Sequence, residues 1–197
     1  EITLLSEEQH ALYSRVLLPH FVEGKIPREK VFIKQEKWYG EKNIEWMRGV
    51  RARKIDHANK FVETSEGREL PFDKLRITTG GDVTLLDEDR RGVSYLRTLD
   101  DADHFLALMN EILALPEKER GGVVYGGGFI ALEYINCFDH FKIPAKVMMR
   151  SRGFWTRMLS EGSQKVLSDR IESRGIELMI EEPLPELIGD TSLTHVK

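Results

Sequence analysis

The stretch GGVVYGGGFIALE, residues 121–133, decides the fold. Its VVY reads as a short buried strand, Gly126–Gly128 as a turn, and Phe129 as the start of a helix running to about Phe141. Gly126-Gly127-Gly128-Phe129-Ile130-Ala131 fits the spacing GxGxxG/A. In that spacing the first glycine permits the tight turn, the second lets a ligand approach the backbone, and the small third residue lets helix and strand pack closely. The first-turn N–H groups and the positive end of the helix dipole then favour a phosphate. A strand, a glycine turn and a helix in this order make a candidate dinucleotide site of Gly126, Gly127, Gly128, Phe129 and Ile130.

The flanks support this reading. AKVMM, residues 145–149, reads as a second strand, and a helix from about Glu161 to Arg174 stops at Gly175. IELMI alternates into a final strand. From Gly121 onward the chain is therefore expected to be β-α-β-α-β, the opening of a parallel nucleotide-binding sheet. Upstream, Phe105, Leu108, Met109, Ile112 and Leu113 repeat with helical spacing, with Asp100 or Asp101 as the expected cap. A domain boundary is expected near Arg97 to Asp101. Before it, EITLL reads as a strand, and SEEQHALYSRVLLPHFVEG as loop and helix. IPREKVFIKQEKWYGEKN reads as a turn and a helix ending near Gly40. Short alternating runs broken by DHANK and SEG predict a small antiparallel meander. Leu75, Ile77 and Thr79 alternate into Gly80-Gly81, which predicts one more strand. The fold class is α/β.

Composition narrows the function. The 197 residues are 41% hydrophobic and 31% charged, with a net charge of −4, so no general affinity for nucleic acid is implied. No apolar run approaches the ~20 residues of a membrane helix, and no secretory leader pattern opens the sequence. Cys137 is the single cysteine, which excludes a CxxC redox pair within the chain. It lies among Tyr134, Ile135, Phe138 and Phe141 and reads as a core residue. The histidines show no zinc-ligand spacing, so no metal site is expected. A reducing cytoplasm is the expected compartment.

The residue at the end of the second strand of such a unit reads the ribose. An acid there accepts from the 2′-hydroxyl of NAD; here the position holds Arg150. An arginine instead offers a charge-assisted contact to a 2′-phosphate, so NADP(H) is expected ahead of NAD(H), with charge added by Arg152 and Arg157. The alternative is that Arg150 is a solvated strand-end residue. Phe154 and Trp155 read as loop packing, and Trp38 and Tyr39 as helix-face packing.

With these stretches ITLLSEEQHALYSRVLL, DHANKFVETSEGRELPFDKLRITTG, YLRTLDDAD and VVYGGGFIALE, the chain resembles the FAD-dependent pyridine nucleotide oxidoreductases. It is most similar to their cysteine-free branch of rubredoxin and ferredoxin reductases, nitrite reductase FAD modules and apoptosis-inducing-factor-like proteins. The resemblance implies an FAD/NAD(P)-binding Rossmann-like fold of three ββα layers. Residues 1–99 would belong to an FAD-binding domain and 100–197 to an NAD(P)-binding domain. It also implies that the chain is an internal part of such a protein and does not make a complete flavin site alone. Ser6, Glu7 and Glu8 match the strand end beside the FAD adenosine ribose. Arg15 matches a basic residue against FAD, Ala52 a backbone contact to adenine, and Thr79 and Gly80 the family's ATG passing the FAD. The family's flavin-side lysine is replaced by His20, while its partner glutamate is present as Glu133, and these two are the candidate catalytic residues. The implied activity is hydride transfer from NAD(P)H to FAD and then electron transfer to an acceptor. That acceptor is a rubredoxin, a ferredoxin, a nitrite-reducing centre, oxygen or a quinone, and homo-oligomers are possible. The alternatives are a nucleotide-binding sensor or interaction protein with slow turnover, and a plain dehydrogenase without flavin, which the meander disfavours.

Overall fold

The computed structural model describes residues 1–86 and 90–197. Among them the helices are α1 (Leu18–Val22), α2 (Glu36–Glu41), α3 (Leu99–Ala114), α4 (Phe129–Phe141) and α5 (Glu161–Glu172). The strands of the first half are β1 (Ile2–Ser6), β2 (Ile44–Arg48), β3 (Ala52–Asp56), β4 (Phe61–Thr64) and β5 (Glu69–Pro71). Those of the second half are β6 (Gly122–Tyr125), β7 (Ala145–Met149), β8 (Glu177–Ile180), β9 (Leu187–Ile188) and β10 (His195–Val196). Two compact units result: Glu1–Ser14 with Arg28–Asp82, and Arg15–Pro27 with Val83–Lys197. This differs from the boundary expected near residue 100. The segment Arg15–Pro27 carries α1, whose buried Leu18, Phe21 and Val22 pack on α3 and α4. The apolar face of a five-residue helix must be covered, and here the second unit covers it.

In the first unit β1 and β2 pair in parallel, from Ile2 opposite Ile44 to Ser6 opposite Arg48. Tyr39 of α2 is 5% exposed and stacks on Trp46 at 4.5 Å. Its hydroxyl accepts from the Leu12 N–H at 2.9 Å, so helix-face packing holds for Tyr39. The meander β3–β4–β5 is antiparallel, as expected, with a bulge between Ala52 and Lys54. The buried Thr64 hydroxyl accepts from the Arg68 N–H at 3.1 Å, closing the Ser65–Gly67 turn, where Gly67 takes φ +77°. The strand expected at Leu75, Ile77 and Thr79 does not form. Leu75 is 40% and Ile77 61% exposed. Alternation makes a strand only where one face is buried and a neighbour takes the backbone bonds.

In the second unit β6, β7 and β8 form a parallel sheet, with Val124 opposite Val147 and Met149 opposite Ile180. The helix α4 follows β6 and α5 follows β7, as the β-α-β-α-β reading requires. A short antiparallel pair, β9 and β10, comes after β8, so IELMI is not the last strand. The buried Phe105 of α3 meets Tyr134 at 4.4 Å and Phe138 at 6.3 Å. Thr98, not Asp100 or Asp101, caps α3: its hydroxyl accepts from the Asp101 N–H at 3.1 Å, and the Asp101 carboxylate accepts from the Thr98 N–H at 2.7 Å. A hydroxyl and a carboxylate three residues apart satisfy both orphan donors, which a lone aspartate cap does not, and such a cap contributes about 1 kcal/mol.

Candidate functional site

The strand β6 delivers the chain into the glycine turn, and the Gly126 N–H donates to the Met148 carbonyl at 2.8 Å, tying the turn to β7. Gly126 has φ +126°, a region closed to residues with a side chain. Gly128 is the extended N-cap of α4 and has no side chain with which to cap its first-turn N–H groups. A Cβ on Gly126 or Gly128 would point into open space. The turn thus leaves open space in front of the α4 start. Gly127 differs: its Cβ would lie 3.2 Å from the Met149 sulfur, so this glycine faces the protein. Ala131 is 7% exposed against the sheet, while Phe129 and Ile130 are 62% and 52% exposed. Gly126, Gly128, Phe129, Ile130 and Arg150 line one broad groove.

The loop after β7 lies on the turn. The Trp155 N–H donates to the Gly127 carbonyl at 3.4 Å, and its ring meets Phe129 at 4.6 Å. Trp155 has φ +48°, and its indole nitrogen is buried with no partner among the described residues. Phe154 is fully buried, as expected for packing. Arg150 is exposed at the end of β7 and, like Arg157, makes no ion pair among the described residues. Arg157 is not among the groove residues. Arg152 is not free to add charge: its Nε lies 3.1 Å from the Glu181 carboxylate.

The residues expected near FAD divide between the two units. In the first, the Val50 N–H donates to the Ser6 carbonyl at 3.0 Å, and Arg51 lies 3.4 Å from Glu7, which brings Ser6, Glu7 and Ala52 to one end of β1 and β2. The Ser6 hydroxyl accepts from the Glu8 N–H at 3.2 Å, and Glu8 itself holds the Tyr13 hydroxyl. Thr79 and Gly80 are exposed in an irregular segment. In the second unit Arg15 donates to the Arg97 carbonyl. His20 pairs with Glu23 at 3.4 Å rather than with Glu133, which is half-buried and makes no ion pair among the described residues. Glu23 carries the shorter ion pair to Lys25, at 2.8 Å, and its side chain is 3% exposed. This buried carboxylate escaped the sequence reading. Its one signal is the HFVEGK run, in which a helix end, a glycine and a lysine crowd one acid.

Cys137 is fully buried beneath this cluster, and desolvation, aided by the charges of Glu23 and Glu133, pushes its thiol from 9.0 up to about 12. Burial also raises the Tyr134 hydroxyl above its ordinary value, although the Ser94 hydroxyl opposes the shift. Both groups are therefore neutral when folded and ionise more readily when unfolded. The contribution of Cys137 to stability is full below pH 9 and is lost as the pH rises toward 12, while that of Tyr134 begins to be lost only above pH 10. Unfolding midpoints measured along that range should fall, and Cys137 should resist a thiol reagent at pH 8 until denaturant is added. Rapid labelling of the folded protein would contradict its burial. Among the described residues no His, Cys, Asp and Glu group suits a metal ion, and no helix is long and apolar enough to cross a membrane.

A parallel sheet with a glycine turn between its first strand and the following helix defines a Rossmann-like unit. The chain belongs to the pyridine nucleotide-disulphide oxidoreductase family, whose profile matches residues 1–197. It is 26% identical over 193 residues to nitrite reductase (NAD(P)H) of Bacillus subtilis, covering 96% of this chain and 23% of that protein. It is 26% identical to rubredoxin-NAD(+) reductase of Ectopseudomonas oleovorans, covering 96% of this chain and 48% of that protein. The chain thus spans about a quarter to a half of these relatives. The fold matches a putidaredoxin reductase in complex with putidaredoxin at a TM-score of 0.87 and 20% identity, over 100% of this chain and 48% of that one. It also matches NADH:rubredoxin oxidoreductase from Clostridium acetobutylicum at 0.79 and 21%, over 92% and 47%. The Rossmann-like α/β fold and the resemblance drawn from the sequence are both met.

Proposed function

We propose that the protein is an FAD-dependent NAD(P)H oxidoreductase that passes electrons on to a small redox protein or a nitrite-reducing centre. The second unit holds the pyridine nucleotide, and the first contributes Ser6, Glu7 and Ala52 to the FAD site. The observation that carries this reading is the glycine turn: Gly126 at φ +126° and an uncapped α4 start leave backbone donors facing open space beside Arg150. The names of the relatives support the chemistry, since NAD(P)H nitrite reductase and rubredoxin reductase are both electron-transfer enzymes. FAD, when bound, supplies the hydride acceptor, and the protein supplies orientation and charge.

The chain's own residues have defined tasks. The N–H groups of the α4 first turn bind the pyrophosphate, and Ala131 keeps the helix close enough to the sheet to hold them there. Arg150 pairs with a 2′-phosphate, so NADPH is preferred. Glu133, a turn into α4, places negative charge behind the turn, and His20 remains with Glu23. Disulfide exchange within the chain has no second cysteine. Anaerobic titration of the intact protein with NADPH tests the reading: the flavin absorbance should bleach stoichiometrically. Flavin-loaded protein that neither NADPH nor NADH reduces would overturn it.

A further inference from the structure

The carboxyl edge of the parallel sheet carries a second charge beside Arg150. Met149 of β7 lies opposite Ile180 of β8 as the last pair of the two strands, so Arg150 and Glu181 each follow directly on that pair at the same sheet edge. Ligands of open parallel sheets bind outside these strand ends. Three observations hold Glu181 there. It takes φ +58°, a left-handed conformation that a residue with a side chain keeps only where its surroundings fix it. Its N–H donates to the Ser151 carbonyl at 3.4 Å, and the next N–H, of Glu182, donates to the Met149 carbonyl at 3.1 Å. Its carboxylate lies 3.1 Å from the Arg152 Nε. Ser151 in turn borders the glycine turn, its hydroxyl 3.5 Å from where a Gly127 Cβ would stand.

We infer that Glu181 is a specificity-determining residue of the nucleotide site, set against Arg150. This rests on the reading of the glycine turn as a dinucleotide site. A carboxylate at the strand edge accepts from a ribose 2′-hydroxyl and repels a 2′-phosphate. It also occupies Arg152, a further cation of the loop after β7. The Arg152–Glu181 pair has both side chains largely in water, at 86% and 60% exposure, so it is held weakly and can open toward a ligand. Among the described residues the edge therefore carries Arg150 without an ion pair beside the neutralised Arg152–Glu181 pair, and the preference for NADPH is narrower than Arg150 alone would give.

The test uses the intact protein and its Glu181→Gln and Glu181→Asp variants, with dissociation constants for 2′,5′-ADP and 5′-ADP measured by calorimetry. Glu181→Gln removes the repulsion and releases Arg152, so the affinity ratio should move toward 2′,5′-ADP by about five- to tenfold. The shift should shrink as salt is raised, because screening weakens an exposed charge and leaves a packing role unchanged. Glu181→Asp should keep a ratio close to that of the unmodified protein. A Glu181→Gln ratio within about twofold of the unmodified one would overturn the inference. If the unmodified protein binds neither ligand, the dinucleotide reading itself falls, and the inference with it.

Discussion

Replacing Gly128 by valine should abolish dinucleotide binding while leaving the second unit folded. The reason is an asymmetry within the turn. Gly126 needs its φ of +126° and Gly127 lies against Met149, so a side chain at either position strains the protein itself. Gly128 has an extended backbone at φ −96°, and a Cβ there meets nothing within 4 Å. A valine fits the free protein but fills the space through which a pyrophosphate reaches the α4 N–H groups. Loss of two charge-assisted hydrogen bonds, each about 1.5–3 kcal/mol, weakens binding by a hundredfold or more. Titration of tryptophan emission measures it, since Trp155 sits on the turn through the Gly127 carbonyl and the Phe129 ring. The thermal midpoint should stay within a few degrees of the unmodified protein. Unchanged nucleotide affinity in Gly128→Val would show that the pyrophosphate does not approach this turn.

The parts of the site legible in the sequence are those whose chemistry is local. Gly126 to Ala131 can be read because a phosphate, a tight turn and a helix start impose their demands within six consecutive residues. The core position of Cys137 is legible for the same reason: its neighbours at helical spacing are apolar. What stayed hidden depends on pairing between distant segments. Glu181 meets Arg152 across 29 positions, and it reaches the same sheet edge as Arg150 only because β7 and β8 align Met149 with Ile180. Composition assigns all of these residues to a solvated surface. His20 illustrates a different limit. Its position in the family pattern suggested Glu133 as partner, yet the turn after α1 folds Glu23 back under both His20 and Lys25. The nearer acid takes the contact. Leu75, Ile77 and Thr79 alternate like a strand, but alternation reports only a possible face, and among the described residues no strand pairs with this segment.

Exchanging Arg150 for glutamate should reverse the nucleotide preference of the intact protein. Arg150 is exposed in the groove with Gly126 and Gly128, and it makes no ion pair among the described residues, so its guanidinium is available to a ligand. One charge-assisted contact to a 2′-phosphate gains about 1.5–3 kcal/mol, which corresponds to tenfold or more in favour of NADPH. A carboxylate in its place loses that contact, repels the phosphate, and accepts from the 2′-hydroxyl of NADH. The change should appear mainly in the Michaelis constants, because the 2′ position is remote from the hydride and its contacts are the same in ground and transition states. Arg150→Ala separates the two contributions: it should lose the preference for NADPH without gaining one for NADH. Arg150→Glu carries an added cost, since it sets a second carboxylate at the sheet edge that holds Glu181. Like charges on neighbouring strands oppose one another by up to about 1 kcal/mol, so a modest fall in the unfolding midpoint should accompany the switch. Combining Arg150→Glu with Glu181→Gln should recover that midpoint while keeping NADH preferred. Steady-state kcat/KM ratios for the two nucleotides decide the matter. An unmodified enzyme that uses NADH as well as NADPH would make Arg150 a solvated strand-end residue with no part in selection.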